Sequence, residues 1–253
     1  MSDRNHIIFT CVSFSAIIIG LILANIFIRK DNNKKLVLKI SAILTVILHF
    51  SSLYVDFFSG NEPSVEDSML LPLYPCNVAM WTLVILAFMK NTDSRLYKFL
   101  CVETFYLGFI GGILGIVVNE IYINTPDLSN WGVLKGLLSH TTMLFGCIYI
   151  VTSGILKPRV NNLIFVFFGL ILLIVDGALM IFLHWIFKLD IPNSMYLIKR
   201  PFEALPWLNV ITIGIIAMLV IFLFTALYEQ IALKKEDRWY TKIKTYLKSK
   251  KTK

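Results

Sequence analysis

The stretch VNNLIFVFFGLILLIVDGALMIF, Val160–Phe182, carries a single charged side chain, Asp176, in 23 residues. As a helix it measures about 34 Å, against about 30 Å for the hydrocarbon core of a bilayer. In hydrocarbon each backbone polar group must be satisfied within its own segment, so the stretch reads as a transmembrane helix and not as an open strand. Six more blocks share the pattern: Ile7–Ile28, Leu36–Phe58, Met69–Met89, Phe99–Ile121, Gly132–Leu156 and Leu208–Tyr228. The chain is 57% hydrophobic and its mean hydropathy is +0.73, beyond ordinary soluble domains. The expected fold is therefore all-α, a polytopic bundle of seven transmembrane helices. The first block is too long for the apolar region of a signal peptide, and no small-residue cleavage site follows it.

Basic residues orient the bundle. Four follow the first span (Arg29, Lys30, Lys34, Lys35), three the third (Lys90, Arg95, Lys98), two the fifth (Lys157, Arg159), and nine lie from Lys234 to Lys253. These 18 of 24 cations share one face, while Arg4, Lys188, Lys199 and Arg200 mark the other. The positive-inside rule then puts the N-terminus outside and the C-terminus in the cytoplasm. An odd number of spans agrees. The organisation reads as a transmembrane domain, 1–228, and a basic cytoplasmic tail, 229–253, in a cell membrane, taken as a bacterial plasma membrane. The net charge of +8 comes mainly from that tail. Beside a membrane helix it reads as an anchor on anionic lipid, not as a nucleic-acid site. Trp239, Tyr240 and Tyr246 among alternating charges suggest a short amphipathic helix on the inner surface.

Cys11, Cys76, Cys101 and Cys147 all lie within spans, which argues against a disulfide framework. Gly108, Gly111, Gly112 and Gly115 form two interleaved small-xxx-small pairs, a face for close helix approach. The last external loop, about His184–Trp207, is apolar enough to fold back over the bundle.

Ionisable groups inside a bilayer are costly and point to function. Cys76 lies about eight residues below the outer end of its span and His140 about nine, or roughly 10–14 Å for both. Asp176 is at a similar depth; Asp56, Asn119 and Glu120 are nearer the surface, and His49 is deeper. Glu103 is clearly in the inner half. The bland reading is that such groups tie helices together. The local sequence Leu71-Pro72-Leu73-Tyr74-Pro75-Cys76-Asn77 adds a further argument. Proline is tolerated in a helix's first turn but not inside it. The span should therefore enter irregularly and become regular near Pro75, with Cys76 in the first turn. There a thiolate meets free N–H groups and the positive helix end. The N–H groups of Cys76, Asn77 and Val78 are candidate oxyanion donors. A thiol with a level imidazole suggests an acyl-transferring nucleophile and its base, His140 being oriented by Asp176, Glu120 or a backbone carbonyl.

Four stretches resemble the YwaF-type bacterial integral membrane proteins and the related mammalian cysteine-dependent ether-phospholipid acyltransferase family. They are Leu71–Asn77, Ser139-His140-Thr141-Thr142, Ser153-Gly154-x-x-Lys157-Pro158-Arg159, and Asn193-x-x-Tyr196-Leu197-x-x-Arg200-Pro201. The resemblance implies a catalytic Cys76 and His140 and transfer of a fatty acyl group through a Cys76 thioester to a lysophospholipid; no cofactor or metal is expected. Asn77, Asp176, Glu120 and Asp56 would support the site. Tyr196, Lys199 and Arg200 would meet the phospholipid or lysophospholipid headgroup, the last two as phosphate ligands.

Other classes compete with this reading. A seven-span zinc amidase needs paired histidines, and His6, His49, His140 and His184 are scattered. A retinal protein needs a lysine in the last span, which has none. A structural or assembly protein would have to carry the cost of the intramembrane polar groups without use. The main alternative is a transporter or sensor, in which Asp56, Glu120, His140 and Asp176 hold a polar ligand or relay protons.

Overall fold

A computed structural model describes residues 4–59, 71–118, 128–188, 194–200 and 205–251, without the side chains of Asp56 and 246–251. The described elements are helices: α1 (Arg4–Phe27), α2 (Asp31–Phe58), α3 (Pro75–Phe88), α4 (Arg95–Val117), α5 (Trp131–Thr152), α6 (Leu163–Phe187), α7 (Val210–Ala232) and α8 (Trp239–Lys251). Single 3₁₀ turns lie at Val160–Asn162, Ser194–Tyr196 and Lys235–Asp237. Among the described residues, six helices are long and apolar enough to cross a membrane. The remaining expected span, α3, has only 14 residues. At about 21 Å it falls short of the hydrocarbon thickness.

The prolines account for the shortness of α3. Pro75 occupies its first turn, and the chain before it, Leu71–Tyr74, is irregular, as anticipated. Tyr74 N–H donates to Asn77 Oδ1 at 3.1 Å, so the asparagine closes the helix start. The irregular segment is sheltered by the fold: Leu73 is 1% exposed and packs with Met180 of α6. Non-helical backbone at membrane depth requires such shelter.

α5 is central. It packs against α2 on one side and α4 on the other, with α1 alongside; α3 fits between α2 and α4. α6 leans on α4, and α7 on α6. The core runs through Leu83, Leu86, Ile116, Leu144 and Ile150, all buried. Sequence-distant polar bonds sew the helices together. His6 Nε2 donates to Ile116 O at 2.7 Å, Ser41 Oγ to Thr142 O at 2.7 Å, and Tyr106 OH pairs with Thr225 Oγ1 at 2.5 Å. All four cysteines are free.

Two expectations for connecting segments are met. The loop after α6 returns to the bundle: Met195 N–H donates to Leu73 O at 2.8 Å, Ser194 Oγ to the same carbonyl at 3.3 Å, and Tyr196 pairs its ring with Tyr74. The tail is helical from Trp239. α7 continues to Ala232, so position 228 falls inside a helix.

Candidate active site on the glycine face of α4

The four glycines of α4 bring neighbouring helices onto its backbone. A Cβ at Gly108 would strike Cys147 of α5, one at Gly112 would crowd Leu144, and one at Gly115 would overlap the imidazole of His140. A Cβ at Gly111 would touch the Cα and Cβ of Cys76 at 3.5 Å, ordinary contact. Close packing is thus what this face does. It also aligns the thiol of Cys76 with the imidazole of His140. Residues four apart on a helix have Cβ atoms about 6 Å apart. Cys76, resting on Gly111, and His140, resting on Gly115, therefore stand one turn from each other along α4. Among the described hydrogen bonds, none joins the two.

The imidazole is fixed from within its own helix. His140 Nδ1 lies 2.8 Å from Gly136 O. A carbonyl only accepts, so Nδ1 carries the proton and Nε2 of the neutral ring keeps its lone pair. This is the tautomer a general base needs, with the carbonyl as its orienting partner. Asp176, on α6, has a buried Oδ2 atom with no hydrogen-bond partner among the described residues. Glu120 and Asn119 lie outside the described residues, as does the side chain of Asp56.

Cys76 is the second residue of α3, as its prolines foretold, and is partly buried. The expected trio of oxyanion donors is reduced. Asn77 N–H and Val78 N–H both reach back to Tyr74 O, at 2.9 and 3.2 Å, because the first turn closes tightly over the N-cap. The Cys76 N–H has no backbone acceptor among the described residues. Tyr196 lies with its ring centroid 5.5 Å from that of Tyr74, two residues before Cys76. Lys199 and Arg200 follow it, exposed. Among the described residues, no three of His, Cys, Asp and Glu gather as a metal site would require.

A family model, that of the TMEM164 family, matches residues 1–228. The chain belongs to the TMEM164 family. No curated protein and no solved structure matches it. The TMEM164 match covers all seven apolar blocks, both candidate reactive residues and the loop containing Tyr196, and is compatible with a membrane lipid acyltransferase.

Sequence reading missed two polar residues of this TMEM164-family chain. Lys135, four residues into α5, donates from Nζ to Ser52 Oγ at 2.7 Å and to His49 O at 3.2 Å, tying α5 to α2. Its signal was a lone lysine inside an apolar span. Glu229, near the end of α7, is 2% exposed. Its two oxygens accept from Val160 N–H and Trp239 N–H, each at 2.8 Å. These donors open the turn before α6 and the tail helix, so one carboxylate joins three elements. Following Tyr228 directly, Glu229 looks in sequence like the first residue of a polar tail.

Proposed function

We propose that this chain is a membrane-embedded, cysteine-dependent acyltransferase acting on phospholipids and lysophospholipids, with Cys76 as nucleophile and His140 as general base. The observation that carries the reading is the alignment of Cys76 and His140 on Gly111 and Gly115, with Nε2 of His140 left as an acceptor. TMEM164 family membership supports it.

Nε2 of His140 takes the proton of the Cys76 thiol, and the sulfur attacks the ester carbonyl of a donor phospholipid. The Cys76 N–H and the Asn77 side-chain amide face the oxyanion. The carbon–oxygen bond breaks, the departing lysophospholipid takes the proton from His140, and an acyl thioester remains on Cys76. The acceptor hydroxyl then gives its proton to Nε2 and attacks the thioester. The carbon–sulfur bond breaks and the sulfur recovers the proton. Transfer wins over hydrolysis when water is kept out. The irregular, sheltered entry of α3 beneath the Ser194–Tyr196 turn supports such exclusion. Tyr196, Lys199 and Arg200 hold the headgroup at the outer mouth, while Asp176, Glu120 and Asp56 support the polar site.

In this reading α3 and the six longer helices make seven crossings, with the N-terminus outside. The basic tail lies on anionic lipid, the chain resides in the plasma membrane, and it falls within the bacterial YwaF-type branch. Purified protein in phospholipid nanodiscs, supplied with a labelled lysophospholipid, tests the activity. Acylated label should form with the native chain and vanish in Cys76→Ala and His140→Ala. Equal product from all three would end the proposal. The second reading, a transporter or sensor, draws on different atoms: Oε1 of Glu103 and Oδ2 of Asp176 are both buried without partners among the described residues. Ion or solute flux abolished by Glu103→Gln and untouched by Cys76→Ala would favour it.

A further inference from the structure

One described cavity lies away from Cys76 and His140. It is a groove of about 500 Å³ between α1, α2 and α5. His140, Leu144 and Cys147 turn toward α4, whereas the groove takes Thr141, Thr142 and Phe145 from the flank of α5 that faces α1 and α2. Its α1 wall extends from Ala16 to Phe27, about 16 Å along the helix axis, with Ile28 just beyond the helix end.

The lining selects hydrocarbon. The three hydroxyls that border the groove are all turned into protein. Ser41 Oγ donates to Thr142 O, Thr141 Oγ1 to Leu137 O, and Thr142 Oγ1 to Ser139 O. They present carbon to the groove, as do Ala24, Val37 and Leu44. Ile18, Ile19, Ile22, Ile43 and Ile47 on the same two helices are exposed, so the surroundings are apolar as well. A polar or peptide ligand would find no free donor or acceptor along these walls.

One end of the groove is different. It closes at Ile28, and the next residues are Arg29 and Lys30, both exposed, on the connection to α2. Neither has an ionic partner among the described residues; the described ion pair there joins Lys34 to Asp31 at 3.0 Å. With Lys35, the stretch 29–35 carries four cations against one carboxylate. A hydrocarbon slot ending at unpaired cations at the membrane surface matches a phospholipid with an acyl tail and a net negative headgroup.

We propose that this groove is a binding site for an anionic phospholipid of the leaflet on the basic face, its acyl chain lying between α1, α2 and α5 and its headgroup meeting Arg29 and Lys30. The lipid fills the seam by which α1 joins the bundle. The site is separate from the Cys76 chemistry and does not depend on it.

Photo-crosslinking tests this with the full chain in phosphatidylcholine nanodiscs. The probes are trace phosphatidylglycerol or phosphatidylcholine bearing a diazirine in the acyl chain, and adducts are mapped by peptide mass spectrometry. The phosphatidylglycerol adducts should concentrate on residues 16–28 and 37–44, several-fold above those on α6, and exceed the phosphatidylcholine adducts there. Arg29→Gln with Lys30→Gln, an exposed pair, should bring the phosphatidylglycerol signal down to the phosphatidylcholine level. Ala24→Phe, which fills the slot, should remove both. Equal labelling by the two probes, labelling spread evenly over α6 and α7, or a signal unchanged in Arg29→Gln/Lys30→Gln would overturn the proposal.

Discussion

The junction at Glu229 and the glycine face of α4 are both polar sites inside an apolar bundle, yet they are built on opposite rules. At the junction each group is satisfied. Glu229 accepts from two helix starts, Arg159 Nη1 donates to Asp237 O at 3.1 Å, and Arg238 caps Leu233 O and the side chain of Gln230. On the glycine face, backbone is brought close by removing side chains, and capacity is left over: Nε2 of His140, the thiol and the N–H of Cys76. Saturation holds helices together, and spare capacity is what a substrate requires. On the proposed reading, this difference separates structural from reactive polarity.

The largest predicted effect breaks the saturated site. Glu229→Ala leaves two partly buried N–H groups without their acceptor, at up to about 1–3 kcal/mol each. Thermal unfolding in detergent should show a loss of several kcal/mol, with Glu229→Gln recovering part of it. The rate at which a maleimide labels Cys76 in the protein that remains folded should barely change, which sharpens the contrast between the two regions. Gly115→Ala attacks the other site. Its Cβ would occupy the His140 ring position, so the imidazole must move. Loss of a positioned base typically costs at least about 100-fold, and transfer should fall accordingly. Overpacking adds about 1–3 kcal/mol of instability. Gly111→Ala is the matched control. Its Cβ meets Cys76 at 3.5 Å, ordinary contact, so stability should shift by less than about 1 kcal/mol. If Gly111→Ala harmed transfer as much as Gly115→Ala, the assignment of the ring at Gly115 as the sensitive contact would fail. The smallest effect is expected from Ser194→Ala. It removes the longer of two bonds to Leu73 O, at 3.3 Å, and should cost under about 1 kcal/mol while Met195 N–H retains the turn.

The sequence made some of this legible. Apolar block lengths delivered the long helices, because hydrocarbon thickness and helix rise leave little choice. Pro72 and Pro75 announced both the irregular entry and the position of Cys76 in a first turn. The small-residue spacing on α4 foretold close approach. What lay on that face could not be read, because the partners of Gly111 and Gly115 come from α3 and α5, and their facing depends on helix rotation. The oxyanion donors were overcounted for a local reason: the first turn of α3 closes back on Tyr74 O. Glu229 was missed because burial of a carboxylate near the end of the last long helix depends on where the tail docks, which hydropathy does not encode. Lys135 escaped because a single cation in a span looks like snorkelling until its acceptors on α2 are known.

The central claim is that Cys76 carries the acyl group, and intact-protein mass spectrometry followed by peptide mapping tests it most directly. Protein held in phospholipid without an acceptor should gain the mass of one fatty acyl chain on the peptide containing Cys76. Hydroxylamine should remove that mass, Cys76→Ser should lack the hydroxylamine-sensitive adduct, and added lysophospholipid should discharge it. A chain that never gains acyl mass, or gains it equally in Cys76→Ala, would contradict the account.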